Sequence, residues 1–164
     1  MKILVTGANG MLGQDLCPML EDTDFVDEVI ETDVETLDIT NEIQVNKVLK
    51  ETMPDVVIHC AAYTNVDKAE DDLETAEKIN VTGTENLAIA CGKLDITMVV
   101  ISTDYVFDGN KKSKYMPIDA TNPLSNYGLT KWQAEEAVRT YCKKHYVVRT
   151  SWLYGHHGKN FVET

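Results

Sequence analysis

Apolar runs long enough to cross a membrane are missing from this chain, since none approaches the ~18 residues that a membrane helix needs. Basic residues are also scarce: 15 lysines and arginines stand against 27 acidic residues, and the formal net charge is -12. This balance argues against a nucleic-acid partner, because phosphate contacts need a positive surface. The first residues form an apolar strand pattern and lack a secretory signal. We therefore expect a cytoplasmic protein that has no membrane or nucleic-acid partner.

Paired cysteines are absent as well. Cys17, Cys60, Cys91 and Cys142 form no C-x-x-C pair, which favours buried thiols in a reducing compartment over disulfides or a zinc site. The pair His156-His157 has no cysteine or carboxylate at ligand spacing. We interpret it as part of a loop and predict no metal site from these residues.

Helical and strand patterns alternate along the chain. Strands are predicted over residues 2–6, 28–32, 56–58, 97–102 and 146–149. Helices are predicted from Met11 onward and over 45–53, 73–91 and 126–144. Continuous apolar strands that alternate with helices are typical of a parallel sheet covered on both faces. The sequence therefore predicts an α/β fold: a doubly wound, Rossmann-type dinucleotide-binding domain over residues 1–164.

Three local features refine this prediction. Pro18 inside the first helix predicts a kink or an early end. Residues 107–122, which include Gly109 and Pro117, predict a surface loop beside the ligand crevice. Only about 15 residues follow the last strand, too few for a substrate-binding domain. We expect an N-terminal fragment of a longer protein, and a minimal binding domain is the alternative.

A glycine motif follows the first predicted strand. Gly7, Gly10 and Gly13 stand between the apolar run at residues 3–5 and the first helix. Backbone without side chains can approach a pyrophosphate there, and the negative charge of the pyrophosphate then faces the N-terminus of a helix. A turn that only reverses the chain is the alternative, but three glycines directly after a strand favour dinucleotide binding.

Asp33 follows the second predicted strand, about 20 residues beyond the glycine motif. A carboxylate here can accept hydrogen bonds from the ribose hydroxyls of adenosine. No arginine lies near it in sequence to bind a 2′-phosphate, which favours NADH. Lys47 or Lys50 is an alternative partner for the 2′-phosphate, so NADPH stays an open alternative.

Tyr127 and Lys131 form a Y-x-x-x-K pair near the start of the last helix, about 120 residues after Gly7. The spacing places both side chains on one helix face. We expect the ammonium group to lower the pKa of the phenol from about 10, which would make Tyr127 an acid or base near neutral pH. Chance spacing is the alternative, and the glycine motif favours a catalytic pair.

Small and hydroxyl-bearing residues follow two further strands. Thr103 comes where the fourth strand ends, and a ligand lies beyond the carboxyl ends of strands in such sheets. Its hydroxyl is therefore the candidate to bond a reacting carbonyl oxygen, although a turn or helix cap is the simpler interpretation of Ser-Thr-Asp. Ala61 and Ala62 follow the third strand and leave room for a cofactor.

The motifs extend over most of the chain: the glycines, then residues 37–40, 61–67, 102–107, 127–131 and 149–155. Together they resemble the extended short-chain dehydrogenase/reductases and, within them, the dTDP-4-dehydrorhamnose reductase family. Ser-Thr-Asp-Tyr-Val-Phe and Arg-Thr-Ser-Trp are the most discriminating segments. The resemblance implies that NADH or NADPH reduces the 4-keto group of dTDP-4-dehydro-L-rhamnose, a sugar nucleotide, to dTDP-L-rhamnose. It also implies a magnesium ion and a homodimer as family properties, and no pattern in this chain locates either.

The resemblance assigns roles to individual residues. Tyr127 protonates the C4 oxygen, Thr103 bonds the same oxygen, and Lys131 binds the nicotinamide ribose. Asn80 resembles the helix asparagine that supports such an active site. With the residues named above, the predicted cofactor-binding set is Gly7, Gly10, Met11, Leu12, Gly13, Asp33, Asp38, Ile39, Ala61, Ala62, Tyr63, Thr64, Tyr127 and Lys131. The predicted substrate-binding set is Val66, Thr103, Asp104, Tyr105 and Trp152.

Two other functions stay open. The regulatory subunit of methionine adenosyltransferase resembles the same family, so the fold alone does not separate an enzyme from a non-catalytic NAD(P)-binding protein. The intact set of Thr103, Tyr127 and Lys131 favours the enzyme. A sibling sugar-nucleotide epimerase or dehydratase ranks third, because the glutamate that a dehydratase needs beside Asp104 is replaced by Tyr105.

Overall fold

A five-stranded parallel sheet forms the framework of the computed structural model, which describes residues 1–158 and 160–162. The strands are β1 (Lys2–Thr6), β2 (Glu28–Thr32), β3 (Val56–His59), β4 (Thr97–Thr103) and β5 (His145–Thr150). Their order in the sheet is β2-β1-β3-β4-β5, and every neighbouring pair is parallel. The chain changes direction across the sheet between β1 and β3. A doubly wound sheet opens its ligand crevice at such a switch point.

Helices cover both faces of the sheet, which confirms the predicted fold class. They are α1 (Met11–Glu21), α2 (Glu42–Thr52), α3 (Lys68–Asp71), α4 (Leu73–Glu77), α5 (Thr84–Leu94) and α6 (Asn126–Tyr141). Side chains alternate along β1, so that Leu4 enters one apolar core while Ile3 and Val5 enter the other. Among the described residues, no helix is long and apolar enough to span a bilayer.

Helix α1 continues through Pro18 to Glu21, so the predicted early end is wrong. The proline lies in the last turn, where its missing amide removes one hydrogen bond. Its carbonyl still accepts a hydrogen bond from the amide of Asp22 at 3.1 Å. The neighbouring Cys17 is buried in the smaller core and fixes the helix to the sheet.

The long helix predicted over residues 73–91 is helical to Leu94, but its middle differs from the prediction. Between α4 and α5, Lys78–Gly83 forms a π-helical turn. Such wider turns are rare and frequently occur at functional sites. This one contains Asn80, whose side chain is buried. Hydrophobic spacing alone does not distinguish a π turn from regular α-helix, because both give a continuous buried face.

Helix α6 ends at Tyr141, three residues earlier than predicted, because Cys142 adopts an extended conformation. At this end α6 meets α5 very closely. A Cβ added at Gly92 would overlap the carbonyl oxygen of Tyr141. Since the obstacle is backbone, a larger residue at position 92 separates the two helices.

Substitution of Gly92 by alanine is expected to destabilise the protein. The new methyl group must displace the end of α6, at a cost of about 1–3 kcal/mol. Urea unfolding followed by circular dichroism measures the loss. Lys93→Ala changes the next, exposed residue and is expected to stay within about 0.5 kcal/mol of the parent. Equal midpoints for Gly92→Ala and the parent would contradict the close helix contact.

Candidate active site

A cleft of about 850 Å³ opens at the carboxyl ends of β1, β3 and β4. Its volume lies within the range of small-molecule and cofactor sites. Most of the predicted site residues line it: Gly7, Gly10, Met11, Leu12, Gly13, Asp33, Asp38, Ile39, Ala61, Ala62, Thr64, Val66, Thr103, Asp104, Tyr105, Tyr127, Lys131 and Trp152. The cleft therefore brings together segments that lie up to about 145 residues apart in the sequence.

The glycine turn is built from very close backbone contacts. Gly7 has a φ of +68°, and a Cβ there would lie 2.7 Å from the Cα of Ala61. A Cβ at Gly13 would lie 2.5 Å from the carbonyl oxygen of Gly7. These contacts require glycine and bring the N-terminus of α1 to the switch point between β1 and β3.

The N-terminus of α1 is suited to an anion. Gly10 occupies the N-cap position, provides no side-chain cap, and is followed by a first turn without acidic residues. The amides of Met11, Leu12 and Gly13 have no acceptor within the helix, because the first turn of any helix lacks one. Their partial positive charge and the helix dipole favour a phosphate group at this end of the cleft.

The carboxylate of Asp33 is fixed at the other side of the glycine turn. Its Oδ2 accepts a hydrogen bond from the amide of Asn9 at 3.0 Å, and its Oδ1 accepts one from the amide of Val34 at 2.8 Å. Asp38 instead accepts from the amide and hydroxyl of Thr40. Asp33 is thus oriented by backbone and keeps unused lone pairs for ligand hydroxyls.

Tyr63 is the one residue of the predicted binding sets that does not line the cleft, and its cofactor-binding role stays a prediction. Its hydroxyl donates to Asp72 at 3.4 Å. Its backbone amide and carbonyl both bond the side-chain amide of Asn80, at 2.8 and 3.2 Å. The pattern Ala-Ala-Tyr-Thr marks the correct segment, but only contacts with the π turn decide which side chains face the cleft.

Asn80 also connects this segment to helix α6. Its Nδ2 donates to the hydroxyl of Thr130 at 3.1 Å, and that hydroxyl donates to the carbonyl of Tyr127 at 2.9 Å. Asn80 and Thr130 are both buried. The chain of bonds fixes the first turn of α6 relative to the end of β3, which supports the role suggested for Asn80 by the resemblance.

Tyr127 lies beside Thr103, as the sequence predicted, but its pKa moves in the opposite direction. Burial raises the pKa of Tyr127, a hydrogen bond with Thr103 opposes this, and the charge of Asp104 raises it further. The prediction of a pKa lowered by Lys131 is therefore wrong for this structure. At neutral pH Tyr127 is a phenol and can donate a proton.

Lys131 is a buried cation that faces the cleft. Its residue is only 3% exposed, and burial lowers the pKa of the ammonium group to about 8. Within residues 1–158 and 160–162, the ammonium makes no hydrogen bond or ion pair. A buried ammonium without such partners is costly. The lysine is therefore suited to the hydroxyl groups of a bound ligand.

The loop 107–122 packs on β5 and contributes no residue to the lining of the cleft, and its position beside the crevice stays a prediction. Phe107 stacks on Tyr115 with ring centres 4.1 Å apart. The guanidinium of Arg149 lies 4.9 Å from the ring centre of Phe107 and donates to the carbonyl of Pro117 at 3.3 Å. The loop itself, predicted from glycine, proline and lysines, is confirmed.

The predicted loop at His156-His157 is confirmed and folds back onto α1. The amide of His156 donates to Asp15 Oδ2 at 3.0 Å, and the His157 ring lies 2.9 Å from Asp15 Oδ1. The described part of the chain contains no group of three or more potential metal-ligating side chains.

The four cysteines are free, and their surroundings differ. Cys17, Cys91 and Cys142 are buried, as predicted. Cys60 is only partly buried and lines the cleft. Burial raises the pKa of its thiol to about 12. Cys60 is therefore a neutral thiol in the wall of the cleft.

His59 is a buried polar residue that sequence reasoning missed. Its Nδ1 lies 2.7 Å from the hydroxyl of Thr6, and its Nε2 lies 3.0 Å from that of Thr84. The ring thus connects the end of β1, just before Gly7, to helix α5. Burial lowers the pKa of His59 to about 3, so the ring is neutral. A histidine that ends an apolar strand gives no sequence signal for this role.

The sheet order and the glycine turn define a Rossmann-type fold, and a Tyr-Lys pair lines its cleft. The sequence profile of the family described as RmlD substrate binding domain matches residues 1–164. The chain belongs to this family.

Proteins similar to this chain include a dTDP-4-dehydrorhamnose reductase of Aggregatibacter actinomycetemcomitans, 41% identical over 99% of this chain and 55% of the relative. A solved dTDP-4-dehydrorhamnose reductase of Clostridium acetobutylicum is 51% identical, with a TM-score of 0.95 over 99% of this chain and 57% of that one. The enzyme of Bacillus anthracis, solved in complex with NADP, is 41% identical, with a TM-score of 0.92 and the same coverage of both chains.

These matches confirm the resemblance found in the sequence. They also show that the chain spans about half the length of the curated relatives it matches.

Replacement of His59 by glutamine is expected to make stability less sensitive to acid. The folded ring takes up a proton only near pH 3, whereas the unfolded ring does so near 6.5. Acid therefore favours unfolding across this window, by up to about 1.4 kcal/mol per pH unit. Urea unfolding between pH 7 and 4 measures the slope for the parent and the variant.

The exposed His156 provides the matched control for this prediction. His156→Gln is expected to keep the acid sensitivity of the parent, because its side chain is exposed. A His59→Gln slope equal to that of the parent would show that the ring is not a buried neutral group.

Proposed function

We propose that residues 1–164 form the dinucleotide-binding domain of an NAD(P)H-dependent reductase acting on dTDP-4-dehydro-L-rhamnose. The observation that carries this proposal is the group of Thr103, Tyr127 and Lys131 at the wall of the cleft. A protonated phenol and an ammonium group that lines the cleft stand there beside a helix N-terminus suited to phosphate. The names of the similar proteins supply the substrate class.

The residues of the cleft fit a nicotinamide dinucleotide. The bare turn at Gly7, Gly10 and Gly13 leaves room for a pyrophosphate next to the free amides of α1. Asp33 is positioned for the adenosine ribose, and Lys131 for the nicotinamide ribose. The solved relative from Bacillus anthracis carries NADP. When bound, the cofactor supplies the hydride of the reduction.

Reduction of a ketone requires one hydride at carbon and one proton at oxygen. Tyr127 donates that proton, because burial keeps its phenol protonated at neutral pH. The hydroxyl of Thr103 bonds the same oxygen and stabilises the negative charge that develops on it. The Lys131 ammonium, which is buried close to the tyrosine on the same helix, stabilises the tyrosinate that remains.

Several predictions from the resemblance stay predictions. They are the homodimer, the magnesium ion and the substrate-binding roles of four residues that line the cleft, Val66, Asp104, Tyr105 and Trp152. The cytoplasmic location, expected from the first residues and the lack of a membrane span, also stays a prediction. The non-catalytic alternative gains no specific support, because the three catalytic candidates are intact and adjacent to one cleft. The dehydratase alternative gains none either, since no acidic pair stands at Asp104.

The chain is expected to bind NADPH saturably, as measured by the fluorescence of the reduced nicotinamide. Lys131→Met is expected to weaken binding at least about tenfold, since a hydrogen bond to a charged group contributes about 1.5–3 kcal/mol. The exposed Lys143 gives the matched control, and Lys143→Met leaves the affinity unchanged. A folded chain without saturable binding would overturn the proposal.

Tyr127→Phe separates binding from chemistry in the same assay. The variant is expected to keep the NADPH affinity of the parent, because the phenol hydroxyl is assigned to the ketone. In a protein that includes the C-terminal part present in the longer relatives, with dTDP-4-dehydro-L-rhamnose added, the variant is expected to lose NADPH oxidation relative to the unchanged protein. Oxidation within about tenfold of the parent rate would remove Tyr127 as the proton donor.

Asp33→Ala is expected to weaken NADH more than NADPH. The carboxylate accepts ribose hydroxyl bonds from NADH, whereas it repels the 2′-phosphate of NADPH. The ratio of the two dissociation constants is the readout, because any loss of the Asn9 contact affects both cofactors equally. Glu35→Ala changes an exposed carboxylate in the same turn and is expected to leave the ratio unchanged. An unchanged ratio for Asp33→Ala would exclude contact with the ribose.

A further inference from the structure

A fully buried carboxylate lies directly behind the candidate active site. Glu135 has a side chain with no exposed surface. Its Oε1 accepts from the hydroxyl of Ser102 at 2.6 Å and from Nε of Arg149 at 2.9 Å. Its Oε2 accepts from Arg149 Nη2 at 2.6 Å and from Arg139 Nη2 at 3.0 Å. The carboxylate is therefore fixed at both oxygens by charge-assisted hydrogen bonds.

Two of the three partners of Glu135 lie next to a residue of the cleft. Ser102 immediately precedes Thr103 in β4, and Arg149 immediately precedes Thr150 in β5. Tyr127, Lys131 and Glu135 follow one another at intervals of four residues on α6, so they share one face of the helix. The cluster thus joins α6 to β4 and β5 at the level of the reacting groups.

The charge of Glu135 affects the pKa of Lys131. Burial lowers the pKa of Lys131, and the charge of Glu135 opposes that effect. The other titratable groups that face Lys131 carry no negative charge at neutral pH, since His59, Cys60 and Tyr127 are neutral. Hydrogen bonds from Arg149, Ser102 and Arg139 favour the ionised form of Glu135 and outweigh its desolvation, so its pKa is lowered.

We propose that Glu135 is a positioning residue for the reaction, acting through Lys131 and Thr103. Its ionised carboxylate provides the opposing charge one helical turn below the buried ammonium. Its bond to Ser102 fixes the end of β4 against α6, so that Thr103 stays beside Tyr127. This role rests on the proposed function, because it assumes that Lys131 and Thr103 take part in catalysis.

Titration of Lys131 tests the proposal without any cofactor. Lysine labelled with ¹³C at the ε position reports its own pKa by NMR, and Lys131→Arg assigns the signal. In Glu135→Gln the pKa of Lys131 is expected to fall by about one unit, the effect of losing a nearby opposite charge. Glu136→Gln removes an exposed charge from the next residue and is expected to leave it unchanged. Glu135→Asp, which keeps the charge, restores most of the parent value.

An unmoved Lys131 titration in folded Glu135→Gln would overturn the proposal. If that variant fails to fold, Arg139→Gln decides, because Arg139 is partly exposed and, of the two oxygens of Glu135, bonds only Oε2; its other contact is an exposed pair with Glu136. Removal of this cation leaves more of the charge of Glu135 unopposed, so the pKa of Lys131 is expected to rise. Lys143→Gln removes an equal charge beyond the end of α6 and is expected to give a smaller rise. Equal shifts in these two variants would overturn the proposal.

NADPH titration of the same variants distinguishes this proposal from the function on which it rests. A pKa shift of Lys131 in a chain that does not bind NADPH supports the link from Glu135 to Lys131 and refutes the reductase. NADPH binding with an unmoved Lys131 refutes the role of Glu135 and leaves the reductase intact. If the chain is the proposed reductase and Glu135 has the proposed role, NADPH affinity falls as the pH rises and Lys131 loses its proton. This fall is expected to begin about one pH unit lower in Glu135→Gln than in the parent.

Discussion

The contact of two backbones at the switch point of the sheet determines where every other part of the cleft lies. Gly7 passes so close to Ala61 that no side chain fits between them. This contact sets the end of β1 against the end of β3 and directs the first amides of α1 into the gap. His59 strengthens the same junction from below, through its bond to Thr6. The end of the cleft at the glycine turn is therefore made of backbone.

At the opposite end of the cleft, the wall is formed by a buried charged side chain, Lys131, and not by backbone. A chain with a formal net charge of -12 places a lysine, almost without exposure, at the wall of its cleft. Desolvation opposes that charge, and Glu135 offsets part of the cost. The carboxylate in turn requires Arg149, which also contacts the loop at Phe107 and Pro117. Lys131, Glu135 and Arg149 thus alternate in charge between the cleft and the surface loop, and each is stabilised by the opposite charge beside it.

Much of the fold and the site could be predicted because the relevant constraints are local. A strand that ends in glycines, a hydroxyl at the end of a strand and a Tyr-Lys spacing are all properties of short segments. The errors arise where distant segments decide the outcome. The backbone of Tyr63 is bonded to Asn80, which lies in a π turn that hydrophobic spacing does not reveal. The continuation of α1 past Pro18 depends on packing against the sheet. The roles of His59 and Glu135 become visible only when three or four elements meet.

The pKa of Tyr127 shows that residue spacing alone can predict the wrong direction of a pKa shift. Four residues along a helix bring an ammonium near a phenol, and in water that proximity would favour phenolate. Here both groups are desolvated, and the acidic Asp104 adjoins the tyrosine, so the neutral phenol is favoured. This state suits reduction, in which the tyrosine must begin with its proton and lose it as charge develops on the ketone oxygen. The lysine then contributes most after the transfer, when its ammonium faces the new tyrosinate. For the proposed reductase, the raised pKa is compatible with Tyr127 as the proton donor.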